Sequence, residues 1–207
     1  TPLRLAEAPH RAGAVPALGS HPGGTAQAVH MPLARHRVAP GTAEGLARWY
    51  RHFLRARVEL VEEGASAGSR ACLVHFDADP AWPQTLALEE DAAVPPPREG
   101  EELREEDAYH LCVYLDSAAS FRAAFARAEA AGALFVNERF EGGPIEFASA
   151  STWEEAERAA QYRVRDLRDP ADGRLLLRLE HEVRKPEHKS FPLRRAASAL
   201  DATSGKE

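Results

Sequence analysis

Short stretches of alternating apolar and polar residues, bounded by turn residues, predict four strands in the first half of the chain. They fall at 33–38, 56–63, 71–77 and 85–90. After the first strand, apolar residues recur every three or four positions from Leu46, which predicts a helix capped by Thr42 and ending near residue 55. The first half therefore has the order βαβββ.

The second half repeats this order. Strands are predicted at 108–116, 133–138, 161–167 and 174–183. A helix follows the first of them, with Ser117 as its N-cap and Gly132 where a C-terminal glycine belongs. Each half opens with a strand that carries a histidine, His36 or His110, 74 residues apart. The repeat predicts an α+β fold in which two paired βαβββ modules form one curved mixed sheet with a central cleft.

Changes in composition divide the chain into segments. Residues 1–32, rich in Ala, Pro and Gly, predict an N-terminal arm that is extended or disordered. The first module spans 33–90, a proline-rich charged linker spans 91–107, and the second module spans 108–190, followed by a tail at 191–207. Residues 139–160 interrupt the second module, and Ser151 with Glu154 forms a capping-box pattern there. This insertion could cover the cleft as a lid, or serve as surface elaboration or as an interface.

Charge and cysteine content narrow the classes of function. A net charge of −6 over 207 residues argues against a nucleic-acid partner or an anionic membrane surface. No apolar run approaches the roughly 18–20 residues that span a bilayer, so membrane insertion is not expected. Cys72 and Cys112 both fall in predicted strands, which favours two buried, reduced thiols and an intracellular reducing compartment. Cytoplasm and organelle lumen or matrix both remain open.

Strand alternation also groups the residues that could carry chemistry. On the strand from 108, His110, Cys112 and Tyr114 share one face, and on the last strand Arg178, Glu180 and Glu182 do so. Because the apolar faces must meet the helices, His110, Tyr114 and Glu180 are expected on the concave side. His36 leads the corresponding strand of the first module.

Two histidines and one carboxylate in a cleft form the ligand set of non-haem iron sites. Fe(II) is therefore the metal we expect first, although the same ligands also serve Zn, Ni or Mn. His36, His110 and Glu180 are the candidate ligands. The remaining charged residues of the last strand, His181, Glu182 and His188, could equally form a strand end whose charges are solvated or paired with each other.

Three segments carry a resemblance to a known family: HRVAPGTAEGLARWYRHFLRARVELVEE, YHLCVYLDSAASFRAAFARAEAAGALFV and RVRDLRDPADGRLLLRLEHEVR. They resemble the vicinal oxygen chelate (VOC) superfamily, which includes glyoxalases, extradiol dioxygenases and antibiotic-resistance proteins. The resemblance covers about residues 33–190. The ending EHEVRKPEHKSFPL is similar to that of a bacterial branch described as glyoxalase- or dioxygenase-like. It implies ligands at His36, His110 and a carboxylate of the last strand.

The sequence departs from the superfamily's pattern at three places. Arg178 stands at the register where the last-strand glutamate is expected, and Ala87 stands where glyoxalases place another glutamate. The stretch HFDADPAWPQ lacks a histidine pair and has only His75, its first residue. Arg178 would repel a metal ion, but it could pair with Glu180 or bind a substrate carboxylate.

Two hypotheses follow. One is a metal-dependent dioxygenase or glyoxalase-like enzyme acting on catechol or dicarbonyl molecules, with His75, Tyr114 or Tyr162 as proton donor or acceptor. The other is a non-catalytic VOC-fold protein with an eroded metal site, which binds a small molecule or forms part of a larger assembly. A homodimer is compatible with either, and the arm, the insertion and the tail would be the docking elements of the second.

Overall fold

The structure, a computed structural model, describes residues 4–5, 33–62, 68–76, 84–101, 110–137, 143 and 150–189. These residues form two compact units that divide between Pro96 and Pro97, except that His52–Leu54 group with the second unit. Each unit combines a mixed β-sheet with α-helix, which confirms the predicted α+β class. No helix in the described ranges is long and apolar enough to cross a membrane.

From residue 33 onward the first unit has the predicted βαβββ order, and one additional short strand precedes it. Its elements are β1 (Arg4–Leu5), β2 (Leu33–Val38), α1 (Ala43–Phe53), β3 (Arg57–Val61), β4 (Ala71–His75) and β5 (Thr85–Glu90). The strands lie in the order β1-β2-β5-β4-β3, with β5 parallel to β2 and antiparallel to β4. Strand β1 falls in the predicted arm and pairs antiparallel with β2. The rest of that arm lies outside the described residues.

Helix α1 forms because its apolar residues share one stripe. Leu46, Trp49, Tyr50 and Phe53 are buried, at the i, i+3, i+4 and i+7 spacing of a packed face. Its start differs from the expectation that the Thr42 hydroxyl caps it. That hydroxyl donates to the Ala39 carbonyl at 2.6 Å, while the first helical N–H, of Ala43, donates to the Glu90 carboxylate at 2.9 Å. A residue 47 positions away thus caps the helix.

The second unit contains β6 (His110–Tyr114), α2 (Ala118–Ala130), α3 (Trp153–Ala159), β7 (Gln161–Arg168) and β8 (Leu175–Arg184). The strands lie in the order β6-β8-β7, with β8 parallel to β6 and antiparallel to β7. Ser117 caps α2 as predicted, since its hydroxyl accepts from the Ser120 N–H. Gly132 follows the helix with a φ of +60°.

The strand predicted at 133–138 forms only in part. Within the described residues up to 137, it contributes one isolated antiparallel bridge, between Leu134 and Val164. The segment opens with four apolar residues in a row, and such a run does not distinguish a strand from a buried apolar connection. Among the residues that the structure describes, the second unit is therefore an incomplete copy of the βαβββ order.

The described part of the insertion packs on the apolar side of the second sheet. The ring of Trp153, in α3, lies 6.0 Å from Phe121 and 5.6 Å from Phe125, both on α2. Tyr162 of β7 joins this cluster at 5.4 Å from each phenylalanine. Helix α3 thus contributes to the core of the second unit rather than to a lid over its polar side.

Candidate functional site

The second sheet has one apolar side and one polar side. Val113 of β6, Tyr162 of β7 and Val183 of β8 are buried on the side that α2 and α3 cover. The opposite side carries Gln161, which pairs in register with Arg184. It also carries the set of residues here called the polar face: His110, Cys112, Tyr114, Arg163, Glu180, Glu182 and Arg184. Alternation along the strands places these residues together, as the sequence predicted for those on β6 and β8.

The strand register brings the polar side chains abreast. Cys112 on β6 lies opposite Glu182 on β8, and Glu182 lies opposite Arg163 on β7. Tyr114 pairs in the same way with Arg184. Because facing residues of neighbouring strands lie about 5 Å apart, one row of three strands suffices to assemble a charged cluster.

Glu182 is the centre of this cluster. Its carboxylate is 3% exposed, and its Oε1 accepts from Arg163 Nη2 at 3.0 Å. Its Oε2 accepts from Arg184 Nη2 at 2.6 Å and from the Cys112 thiol at 3.1 Å. The Nε2 atom of His110, a residue whose side chain is 44% exposed, lies 3.4 Å from the same Oε2. A half-exposed imidazole thus lies beside a buried carboxylate.

The surroundings of Glu182 shift two pKa values. Burial raises the pKa of its carboxyl, but the Cys112 hydrogen bond and the two guanidiniums together outweigh burial, so the pKa lies below its ordinary value of 4.5. Burial, followed by the Glu182 carboxylate, raises the pKa of the Cys112 thiol to about 11. At neutral pH the cluster therefore holds a carboxylate and a protonated thiol.

The remaining members of the polar face are also paired. Arg163 Nη1 donates to Glu180, so one guanidinium holds both carboxylates of β8. Arg184 Nη1 donates to the Tyr114 hydroxyl at 2.7 Å, and its guanidinium carbon lies 5.5 Å from the centre of that ring. Glu180, the predicted ligand, pairs in register with His110, but Glu182 supplies the carboxylate oxygen at 3.4 Å from the imidazole.

Arg178 lies beyond an irregularity in β8. Between the pairs Val164–His181 and Asp166–Arg178, β8 has one residue more than β7, which is the arrangement of a β-bulge. Arg178 donates to the Glu101 carbonyl, and its Nε lies 3.6 Å from Asp166. The arginine at the expected ligand register is therefore tied to the linker and to β7.

The other predicted site residues lie elsewhere. Tyr162 packs on the apolar side of the second sheet, where burial raises the pKa of its hydroxyl. His75 ends β4, with its Nδ1 3.1 Å from the Thr85 hydroxyl and its Nε2 3.9 Å from Glu59. Tyr162 thus occupies the side opposite His110, and His75 belongs to the first unit.

His36 does not match His110 in the face that it occupies. It pairs in register with Leu88, and its neighbour Val38 pairs with Glu90, which caps α1. His36 is accordingly buried on the helix-covered side of the first sheet. The open side of β2 instead carries Arg35 and Arg37, so the repeated histidines are not equivalent in the two sheets.

Ion pairs cover that open side of the first sheet. Arg35 Nη1 lies 2.6 Å from Glu89 Oε1, and Arg37 Nη1 lies 2.9 Å from Asp91 Oδ2. Ala87, on β5, lies in register with Arg35 and offers no ligand. Both sheets therefore carry arginine–carboxylate pairs on the sides that their helices leave open.

The donors that could hold a metal ion are His110, Cys112 and Glu182, whose ligand atoms lie within 4.8 Å of one another. Imidazole, thiol and carboxylate are suitable donors for zinc-like ions. Their setting does not suit such an ion, because a guanidinium occupies each oxygen of Glu182. As arranged here, the donor set does not fit the divalent metal that the VOC resemblance implies.

Cys112, Glu182, Arg163 and Arg184 were not predicted as site residues. Alternation already placed Cys112 and Glu182 on the correct faces, and this signal could have identified them. Arg163 required the pairing of β7 with β8, which the sequence does not reveal. Both cysteines are free, but Cys112 is exposed rather than buried as expected, because it lies on the polar face.

No protein-family model and no curated protein matches the chain. Solved structures that are similar to it include an integron cassette protein from the mobile metagenome of V. cholerae. It is 18% identical with a TM-score of 0.38, over 78% of this chain and 98% of that one.

A glyoxylase/bleomycin resistance protein/dioxygenase domain from Frankia sp. EAN1pec is 16% identical, with a TM-score of 0.38, over 79% of this chain and 96% of its own. A lactoylglutathione lyase from Agrobacterium tumefaciens is 20% identical, with a TM-score of 0.33, over 80% of this chain and 96% of its own. The α+β class is assigned from the helices and the strand orders described above.

Proposed function

We propose that this protein binds a small organic molecule on the polar face of the second sheet, using side chains rather than a bound metal. The observation that carries the proposal is the half-exposed His110 imidazole beside the buried Glu182 carboxylate, which two arginines fix in place. Binding sites need exposed polar groups whose positions are held by a second layer of contacts. His110 has such support.

A second feature of the cluster supports a functional role. The Nε atoms of Arg163 and Arg184 are buried and have no hydrogen-bond acceptor among the described residues. An unsatisfied buried donor costs about 1–3 kcal/mol, and native proteins tolerate such costs mainly at functional sites. The cluster is therefore not arranged for stability alone.

The charge of the polar face favours an uncharged ligand. Arg163 and Arg184 are balanced by Glu180 and Glu182, and their contacts use the charged groups internally. His110, the Cys112 thiol and the Tyr114 hydroxyl are the members of the face other than its arginines and carboxylates, and groups of these types hydrogen-bond to hydroxyl or carbonyl oxygens. A neutral molecule with adjacent oxygens, of the catechol or hydroxycarbonyl type, fits this composition and the VOC resemblance.

Calorimetric titration of chelator-treated, reduced protein with catechol and with hydroxyacetone tests the proposal under anaerobic conditions. We expect at least one probe to bind, with a Kd between about 1 μM and 1 mM. His110→Ala should weaken binding at least tenfold. His52→Ala, at an exposed histidine of α1, is the control and should leave binding unchanged.

Failure of both probes to bind would contradict the proposal. Binding that requires added Fe(II), Zn, Ni or Mn would also contradict it, and would favour the metal-dependent enzyme instead.

A further inference from the structure

We propose that Arg184, assisted by Arg163, masks a latent site for a thiophilic divalent cation formed by His110, Cys112 and Glu182. The inference rests on the proposed metal-free character of the polar face, and it goes beyond it by naming the residues that keep a metal out. Zinc and cobalt(II) are the class of ion that this donor set would take.

The Cys112 sulfur and His110 Nε2 both lie close to one oxygen atom of the third donor, Glu182. Glu182 Oε2 lies 3.1 Å from the Cys112 sulfur and 3.4 Å from His110 Nε2. All three ligand atoms lie within 4.8 Å of one another. Since metal–ligand bonds to N, O and S are about 2.0–2.3 Å long, donors this close can share one ion with small movements of their side chains.

Arg184 competes for that same oxygen. Its Nη2 lies 2.6 Å from Glu182 Oε2, so the guanidinium takes the lone pairs that a metal ion would need. Arg163 takes the other oxygen, Oε1, and also holds Glu180. The carboxylate is thus neutralised from both sides, and an added divalent cation would meet two positive charges at contact distance.

Loss of Arg184 should open the site without dismantling the rest of the cluster. Arg163 would still pair with Glu180 and with Oε1 of Glu182, while Oε2 would become available. Binding of a divalent ion would then form a metal–thiolate bond, and the Cys112 proton would pass to solvent. The pairing of Arg184 with Tyr114 would be lost in the same variant.

Cobalt(II) titration without any organic ligand tests this inference, because cobalt–thiolate bonds give a charge-transfer absorption band that carboxylate or imidazole ligation alone does not. We expect Arg184→Met to bind about one equivalent of Co(II) with this band, at least tenfold more tightly than the wild-type protein. Arg184→Met combined with Cys112→Ser should lose the band.

Arg165→Met is the matched control, since Arg165 lies on β7 and pairs with Asp166 rather than with Glu182. It should behave like the wild type. If Arg184→Met does not fold, as judged by circular dichroism, Arg184→Gln replaces it, because the amide is neutral and can still donate to Tyr114.

Two results would overturn the inference. One is a wild-type protein that shows the thiolate band with the affinity of the Arg184 variant. The other is a folded Arg184 variant that binds no Co(II). The organic-ligand titration of the proposed function does not enter either result, so the two can fail separately.

Discussion

Glu182 determines the behaviour of its neighbours on the polar face. Its buried carboxylate accepts from Cys112, Arg163 and Arg184 and lies beside His110. Replacing a partner in such a buried charged cluster leaves the opposite charges uncompensated. The chemistry of Cys112 and His110 therefore depends on a residue that solvent hardly reaches.

Cys112 should be a slow nucleophile although the residue is exposed. Its thiol pKa is raised from the ordinary value of 9.0 to about 11, so at pH 8 it holds about 100-fold less thiolate than an unperturbed thiol. We expect its alkylation by iodoacetamide, followed by peptide mass spectrometry, to be slower by roughly that factor and to accelerate as the pH approaches 11.

Glu182→Gln offers the matched comparison for this reaction. The variant removes the negative neighbour and leaves the two guanidiniums, so the Cys112 pKa should fall and its alkylation at pH 8 should become faster, about tenfold for each unit. A wild-type Cys112 that reacts at the rate of an unfolded peptide would refute the assignment.

For single residues, the sequence predicts which face of a strand a side chain occupies, but not which residue of another strand it contacts. Alternation correctly grouped His110, Cys112 and Tyr114 on one face, because the period of a strand is a local property. It could not decide between Glu180 and Glu182, since that choice depends on Arg163, a residue of another strand. It also suggested that His36 and His110 are equivalent, which their strand registers do not show.

The N-terminal caps of the helices likewise divide into those that neighbouring residues supply and those that distant residues supply. Ser117 caps α2 through its own hydroxyl, and the sequence predicts this because donor and acceptor lie three residues apart. Helix α1 receives its cap from Glu90, which no local pattern reveals. Helix α3 has the predicted capping box one residue later than expected, with Thr152 as N-cap and Glu155 at N3.

The shifted capping box gives a prediction for α3. Thr152→Ala should reduce the free energy of unfolding by about 1 kcal/mol, because the Glu155 N–H loses its acceptor. Urea denaturation measures the change. Glu154→Gln, at the position that the local pattern favours, is the control and should have little effect. If Glu154→Gln reduced stability and Thr152→Ala did not, the capping box would instead be formed by Ser151 and Glu154.

Across the whole molecule, the ion pairs on the open sides of the sheets differ in their contribution. Arg35 and Arg37 of the first sheet are 46% and 42% exposed, and such pairs contribute at most about 1 kcal/mol. The contacts of Glu182 with Arg163 and Arg184 are largely buried. The response of the fold to acid should therefore come mainly from the second sheet.

Stability should fall in acid through Glu182. Its pKa is lower in the folded state than the ordinary 4.5, so its contribution is complete above pH 4.5 and is lost as the pH falls through the folded value. At pH 7, Glu182→Gln should lower the free energy of unfolding by about 3 kcal/mol, because the buried Arg163 and the partly buried Arg184 lose their counter-charge. Below pH 4.5 the difference from wild type should shrink.

Denaturant unfolding at a series of pH values measures this difference. Glu89→Gln, which breaks the exposed pair with Arg35, is the control and should change stability by less than about 1 kcal/mol. A difference between wild type and Glu182→Gln that stays constant from about pH 7 to about pH 3 would show that Glu182 does not titrate as described.

The α+β class and the two-part order of elements were predictable because they follow from the spacing of apolar residues and from the turn residues between elements. The same local signals do not reveal the order of strands within each sheet, nor that residues 133–137 contribute only an isolated bridge. These features depend on which strands pair with each other across long stretches of sequence.

The central place of β8 in the second sheet has a consequence for synthesis on the ribosome. Strands β6 and β7 pair with β8 and not with each other, and β8 is the last strand among the described residues of the unit. In the first unit, β3 and β4 can form a hairpin before β5 exists. The second sheet has no such early pair among its named strands. Until residue 184 has emerged, the edges of β6 and β7 that pair with β8 stay unpaired, and such edges favour aggregation of a nascent chain.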